Sequence, residues 1–395
     1  MIYDSGVSAI QRQSAALLHT QQQLSSGRRM LTPADDPVAA ARALDLTQSS
    51  AITAQYGVNQ NNARDTLSLV EGQLTAAGEL IQLVRERAVQ AGNTVLSDGD
   101  RRGIAAELRG QYEQLMGLAN STDGSGQYLF SGYQGDTKPF SGNVATSVIY
   151  AGDDGQRLLQ VSASRQMAVS DSGNDVFMRI RNGNGTFAAR ANAVNGGSGV
   201  IDAGFVYDNS LLSGDTYEIR FTSQTTYDIF DVSTATNVST GNAFTAGTAI
   251  SFLGMTVTIS GSPASGDAFS LTPSANQSLF QTLGNLITAL ETPLSGSAPA
   301  KTRLANGIGA ALTDLDQAQE NILRVRTTIG SRQLEIDALS STSEDLAVQY
   351  AATLSRLQDV DYAAAISKLT QEQSYLEAAQ QSFLRVAGLS LFNYV

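Results

Sequence analysis

Aliphatic residues at alternating steps of three and four line both ends of this 395-residue chain and are absent from its middle. One stripe comprises Leu67, Val70, Leu74, Ala77, Ile81, Val84, Ala88, Ala91 and Val95. A second comprises Ile308, Leu315, Ala318, Ile322, Val325, Ile329, Ile336, Leu339, Leu346, Tyr350, Leu357 and Val360. Only a helix with about 3.5 residues per hydrophobic repeat keeps such positions on one seam, the pattern of helices that pair as in a coiled coil. The economical solution pairs the two ends with each other and leaves the middle as an insertion. The predicted class is therefore α+β, a long helical core built from both chain termini with an inserted, mostly antiparallel β domain.

The outermost helices follow a different rule. Tyr3, Ile10, Leu17, Leu24 and Leu31 recur every seven residues near the start, and Ile366, Leu369, Leu376 and Phe383 mark the last helix. The second rank of each seam is polar: Gln13 or Ser14, Thr20 or Gln21, and Gly27 or Arg28 at one end, Gln373 and Gln380 at the other. A one-rank stripe buries too little apolar surface to offset the backbone entropy of ordering a helix of roughly 25 residues. Residues 1–35 and 361–395 are accordingly predicted to be disordered in an isolated monomer and ordered by partners.

Between them, residues 36–124 and 277–360 form the expected core domain, with Leu67, Val70, Leu74, Ile81 and Val84 meeting Ile308, Leu315, Ile322, Val325 and Ile329. Asp36 is placed as a helix N-cap with Pro37 at the first helical position. Ser97-Asp98-Gly99-Asp100 breaks the pattern before a third helix carrying Ile104, Leu108, Leu115 and Leu118. Helical spacing returns at Leu279, Leu283, Leu286 and Leu290, followed by a turn between Pro293 and Pro299.

Residues 125–276 change character, holding 19 of the 36 glycines and 16 of the 26 Phe and Tyr residues. Glycine-bounded alternation over Thr216–Phe221, Tyr227–Val232 and Met255–Ile259 predicts strands and turns, in one or two small antiparallel domains. Residues 191–204, rich in Gly, Asn and Ser, are expected to form an exposed loop.

Composition removes whole classes of function. Net charge is −12 and no stretch concentrates Lys or Arg, which argues against a nucleic-acid surface. No apolar window is long enough to span a membrane, and the first 23 residues lack the basic start and apolar core of a secretory signal. With no Cys and a single His, His19, thiol dyads and zinc clusters have no donors. The pairs Asp35-Asp36 and Asp153-Asp154 fit caps and turns better than a shared cation. No catalytic, cofactor-binding or metal residue is assigned, and no cofactor is expected.

The end sequences resemble flagellin-type axial proteins, and specifically the bacterial flagellar hook-associated protein 3 family. The resemblance is carried by Leu24-Ser25-Ser26-Gly27-Arg28-Arg29, Thr32-Pro33-Ala34-Asp35-Asp36-Pro37-Val38-Ala39, Asp359-Val360-Asp361-Tyr362-Ala363 and the closing Gly388-Leu389-Ser390-Leu391-Phe392-Asn393-Tyr394. It implies a non-enzymatic structural protein of the extracellular flagellum, exported by the flagellar type III apparatus without a cleaved signal. It further implies self-assembly into a ring between hook-associated protein 1 and flagellin, and a flagellar export chaperone on the C-terminal helices beforehand. Ile10, Leu17, Leu24, Ile366, Leu369, Leu376 and Phe383 are the expected assembly residues. The alternatives are a flagellin-like filament subunit and an extracellular coiled-coil adhesin.

Overall fold

The structure, a computed structural model, describes residues 2–93, 95–294 and 296–388, with side chains from Asp4 to Arg385 among them. Side chains of Tyr3 and the closing run from Leu389 lie outside the described part. Helices α1 (Ile2–Ser26), α2 (Pro37–Ala91), α3 (Asp98–Ala119), α4 (Leu279–Glu291), α5 (Ala298–Gln358) and α6 (Tyr362–Gly388) frame the β-rich middle.

Local chemistry sets their limits. Pro37 opens α2, and Asp36 Oδ1 accepts the Ala39 amide at 3.0 Å, the expected cap. The helix closes at Gly92, whose amide reaches the carbonyls of Ala88 and Val89. Val95, placed on the stripe from the sequence, therefore lies beyond the helix and is 87% exposed. Ser97 and Asp100 cap α3 reciprocally: the Asp100 amide donates to Ser97 Oγ and the Ser97 amide to Asp100 Oδ2. Ser278 Oγ accepts from the Gln281 amide at the start of α4.

The chain forms two compact units: Met1–Gln60, Val161–Ala163 and Asp337–Val395 in one, Asn61–Gln160 and Ser164–Ile336 in the other. Helices α2 and α5 contribute residues to both.

In the larger unit, Leu67, Val70, Leu74, Ile81 and Val84 are buried, as are Ile308, Leu315, Ile322, Val325 and Ile329. Ser68 with Gln333, Glu71 with Arg326 and Arg85 with Asp316 bond across at 3.3, 2.8 and 2.9 Å, so α2 and α5 run antiparallel. Helices α3 and α4 pack on each other and add buried Leu108, Tyr112, Leu115, Phe280, Leu283 and Leu286. Each such side chain contributes roughly 1.5–3 kcal/mol on burial.

The middle begins with β1 (Phe140–Asn143), β2 (Thr146–Tyr150), β3 (Leu158–Ser162), β4 (Arg165–Ala168) and β5 (Ile180–Arg181). Phe140 and Phe177 meet Phe280 of α4 at 5.5 and 6.3 Å between ring centres, and Tyr112 of α3 meets it at 5.7 Å. This loop-rich segment is thus seated on helices. The strands that follow are β6 (Phe187–Ala191), β7 (Val200–Ile201), β8 (Phe205–Val206), β9 (Tyr217–Phe221), β10 (Thr226–Asp231), β11 (Thr236–Ala243), β12 (Ala249–Phe252), β13 (Met255–Ser260), β14 (Ala268–Pro273) and β15 (Asn276–Gln277).

One antiparallel sheet has the order β11-β10-β9-β14-β6, and a second the order β12-β13-β7 with β8 also beside β13. Ile219, Phe221, Phe269 and Leu271 of the first share one buried cluster with Ile250, Val257 and Ile259 of the second. Residues 187–273 are therefore a single sandwich, with inward Tyr217, Ile219 and Phe221 alternating with Glu218 and Arg220. Residues 192–199 form the expected loop, with Val194 82% exposed, but the segment 191–204 is not loop throughout. It includes β7, and buried Asn195 exchanges two bonds with the backbone of Ala268 (2.9 and 2.9 Å). A polar side chain there substitutes for sheet pairing, which composition alone does not reveal.

Candidate assembly surfaces

The two motifs that carry the family resemblance, some 330 residues apart in sequence, meet at one point. The Arg29 amide donates to the Gln358 carbonyl at 2.6 Å, and the Val360 amide to the Gly27 carbonyl at 2.9 Å. Arg28 and Asp359 form the antiparallel bridge between them. The Arg29 guanidinium adds a bond to the Leu357 carbonyl (3.0 Å) and pairs with Asp36 (3.3 Å). Gly27 has a φ of +71°, and a Cβ there would stand 3.1 Å from the Tyr362 hydroxyl, so glycine fits both the turn and the neighbour. This clasp joins the α1–α2 turn to the α5–α6 turn.

Both acids of Asp35-Asp36 serve the clasp. Asp35 Oδ2 accepts the amides of Leu31 and Thr32 at 2.8 Å each, and His19 Nε2 lies 3.2 Å from Oδ1. The amides of Thr32 and Leu31 hold the Asp35 carboxyl below the usual carboxylate value, and the Ala39 amide does the same for Asp36. Asp153 and Asp154 also act in turns: Asp153 Oδ1 accepts from Tyr133 and Gly155, and Asp154 bonds Asn174 and Arg179. Among the described residues no group of three or more His, Asp or Glu could hold a metal ion, and no helix is long and apolar enough to cross a membrane.

Helices α1 and α6 pack against each other, antiparallel: Gln13 Nε2 reaches the Glu372 carbonyl (3.3 Å), and a Cβ on Gly6 would meet the Phe383 ring at 2.9 Å. Ile10, Leu17, Leu24, Leu369, Leu376 and Phe383 are all half-buried along this seam. Ile366 is not on it. That side chain is 53% exposed while Ala365, one residue earlier, is buried. The second rank on α6 consists of Ala365, Glu372 and Ala379, with Gln373 and Gln380 exposed. Steps of four and three counted from Leu369 lead to 372, 376, 379 and 383, which the sequence shows once the count starts there.

In the same unit, the remainder of the long stripe is only partly covered. Leu339, Leu346, Tyr350, Leu357 and Val360 are half-buried, and Val38, Leu44, Ile52, Val58 and Val348 are exposed. A notch of about 250 Å³ opens beside the clasp, lined by Met30, Leu31, Pro33, Ala43 and Leu44 among others.

A polar face on α5 escaped sequence reasoning. Asp314, 6% exposed, accepts the Gly183 amide (2.8 Å), two bonds from Arg190 (2.8 and 2.8 Å) and one from Gln277 (3.0 Å). Asn306 bonds both Gly199 and Ile201 of the sandwich. Asn321 bonds the carbonyls of Asp175 and Val176, and Arg332 forks onto Asp171. The only advance signal is spacing: 306, 314 and 321 are seven or eight apart, beside the apolar stripe.

Comparison with known proteins places this architecture. The family described as bacterial flagellin N-terminal helical region matches residues 1–135, and the hook-associated protein 1 D2-like domain matches residues 190–273. Flagellar hook-associated protein 3 of Salmonella typhimurium is 29% identical over 99% of this chain and 97% of its own length. Among solved structures, FlgL of Xanthomonas campestris shares 34% identity with a TM-score of 0.73, covering 78% of this chain and 99% of that one. Hook-associated protein 3 of Legionella pneumophila shares 32% identity with a TM-score of 0.75, covering 79% and 98%. Matched over 99% of its length by the curated relative, and above 30% identity to solved structures that it covers almost entirely, the chain belongs to the hook-associated protein 3 (FlgL) family of structural flagellar proteins.

Proposed function

We propose that the chain assembles as a ring at the hook–filament junction, between hook-associated protein 1 and flagellin, after export through the flagellar type III apparatus. In this reading an export chaperone holds the C-terminal helices before secretion, and residues 1–35 and 361–395 gain full order only in the ring. The observation that carries the reading is the contrast in burial along α2 and α5. Residues 67–88 and 308–336 form a closed apolar seam, whereas 339–360 and the α1–α6 pair keep theirs half covered. Half-covered stripes on slender helices are what further helices cover, in the manner of knobs entering holes. Ile10, Leu17, Leu24, Leu369, Leu376 and Phe383 are assigned as assembly residues, with Ile366 on the outer face. The core domain boundaries at 36–124 and 277–360 enter the proposal unchanged.

The test is made in cells. Leu17→Asp or Leu376→Asp is introduced in place of the native gene, and hooks are inspected by electron microscopy. The expected result is hooks without filaments and flagellin shed into the medium. Filaments of normal number and length on such hooks would overturn the reading. A continuous filament built from this chain alone would transfer it to the filament.

A further inference from the structure

The seam between α1 and α6 carries a charge at its centre. Among the described α6 side chains, Ala365, Leu369, Glu372, Leu376, Ala379 and Phe383 have reduced exposure, at steps of four and three. Glu372 is 8% exposed, and its Oε2 has no hydrogen-bond partner among the described residues. Oε1 lies 3.9 Å from Lys368 Nζ, one turn back on the same helix and largely in solvent. Lys before Glu is the weaker order for such a pair. Across the seam, Gln13 addresses the Glu372 backbone carbonyl instead of the carboxylate. Thr20 Oγ1 on α1 is also buried without a partner among the described residues.

We propose that Glu372 is a built-in opening point of the terminal helix pair. The apolar rank of Ile10, Leu17, Leu24, Leu369, Leu376 and Phe383 favours closure. The weakly compensated carboxylate opposes it, because a charge largely deprived of water regains hydration when the helices part. Closure and opening are then close in free energy, and the pair exchanges between them without global unfolding. A leucine at this position would complete the stripe and remove the opposing term. The inference rests on the seam itself and stands whether or not the junction assignment does.

The experiment is amide hydrogen exchange by mass spectrometry on the full-length monomer at neutral pH, comparing the native chain with Glu372→Leu and Glu372→Gln. Glu377→Leu is the control, an exposed acid on the same helix that tests the helix-forming preference of leucine alone. Glu372→Leu is expected to slow exchange in α1 and α6 by roughly tenfold to a hundredfold. Glu372→Gln should give a smaller slowing, and Glu377→Leu none beyond about twofold. Rates at residues 67–88 should stay unchanged in all four proteins. Unchanged or faster exchange in Glu372→Leu, or equal slowing in Glu377→Leu, would overturn the proposal.

Discussion

Along α2 and α5 the same spacing of apolar residues has two outcomes. From Ala63 onward on α2, and up to Ile336 on α5, the seam residues are buried, and in the same unit α3 and α4 pack on each other with Leu108, Tyr112, Leu115, Phe280 and Leu283 buried. In the other unit α1 and α6 offer one rank of large apolar side chains, with Gln13, Thr20 and Glu372 beside the small Ala365 and Ala379 in the other, and the stripes stay half open. Gln60 marks the change on α2. It occupies the seam, is fully buried, and spends its amide on the Val161 carbonyl (2.8 Å) and Ser343 Oγ (3.2 Å). A heptad therefore says where a seam runs, and the second rank says whether the chain can close it alone.

The sharpest way to break this contrast is a charge in each seam. Leu74→Asp or Ile322→Asp buries an unpaired carboxylate and should cost roughly 4 kcal/mol or more, read from urea unfolding followed by helical circular dichroism. Asp314→Ala comes next. It strands the Gly183 amide, Arg190 and Gln277, and should cost about 3 kcal/mol, with freer sandwich motion visible in solution scattering. Asp314→Asn should lose part of that, since it keeps an acceptor.

The clasp should respond to acid. Its two aspartates have lowered pKa values, so their stabilisation is present above the ordinary carboxylate value and is lost as pH falls through the lowered one. Protection of the Arg29 and Val360 amides should hold at neutral pH and decline below about pH 4. Asp35→Asn should weaken that protection at neutral pH. Replacing residues 187–273 by a short Gly/Ser linker should leave a helical protein that melts cooperatively. Extending the cut to residues 140–272 removes Phe140 and Phe177 from Phe280, so that protein should melt lower and more broadly. The smallest effect belongs to Leu17→Asp and Leu376→Asp, which should leave the main transition within about 0.5 kcal/mol of native.

Much of the helical frame was legible from spacing, because period 3.5 over many turns has few other solutions. The cap at Asp36 and the strands around Ile219, Ile229 and Val257 were legible from local chemistry. Other features depended on partners distant in sequence. Asp314 reads as an ordinary helix-surface acid until Arg190 and Gly183 arrive, and Asn195 reads as loop until Ala268 pairs with it. Spacing in the last helix puts Ile366 with Leu369, yet the register fixed by Leu369 and Leu376 gives that turn to Ala365. The clasp lay in plain view as two motifs, but only the antiparallel pairing of α1 with α6 shows that they touch.

The central claim is that one seam is closed by the chain and the other is held for neighbours. Amide exchange on the dilute full-length monomer tests it most directly, by comparing residues 67–88 and 308–336 with α1 and α6 in a single experiment. The account predicts exchange in α1 and α6 at least roughly a hundredfold faster, with the sealed seam exchanging only through global unfolding. Equal protection of both sets in the monomer would contradict it.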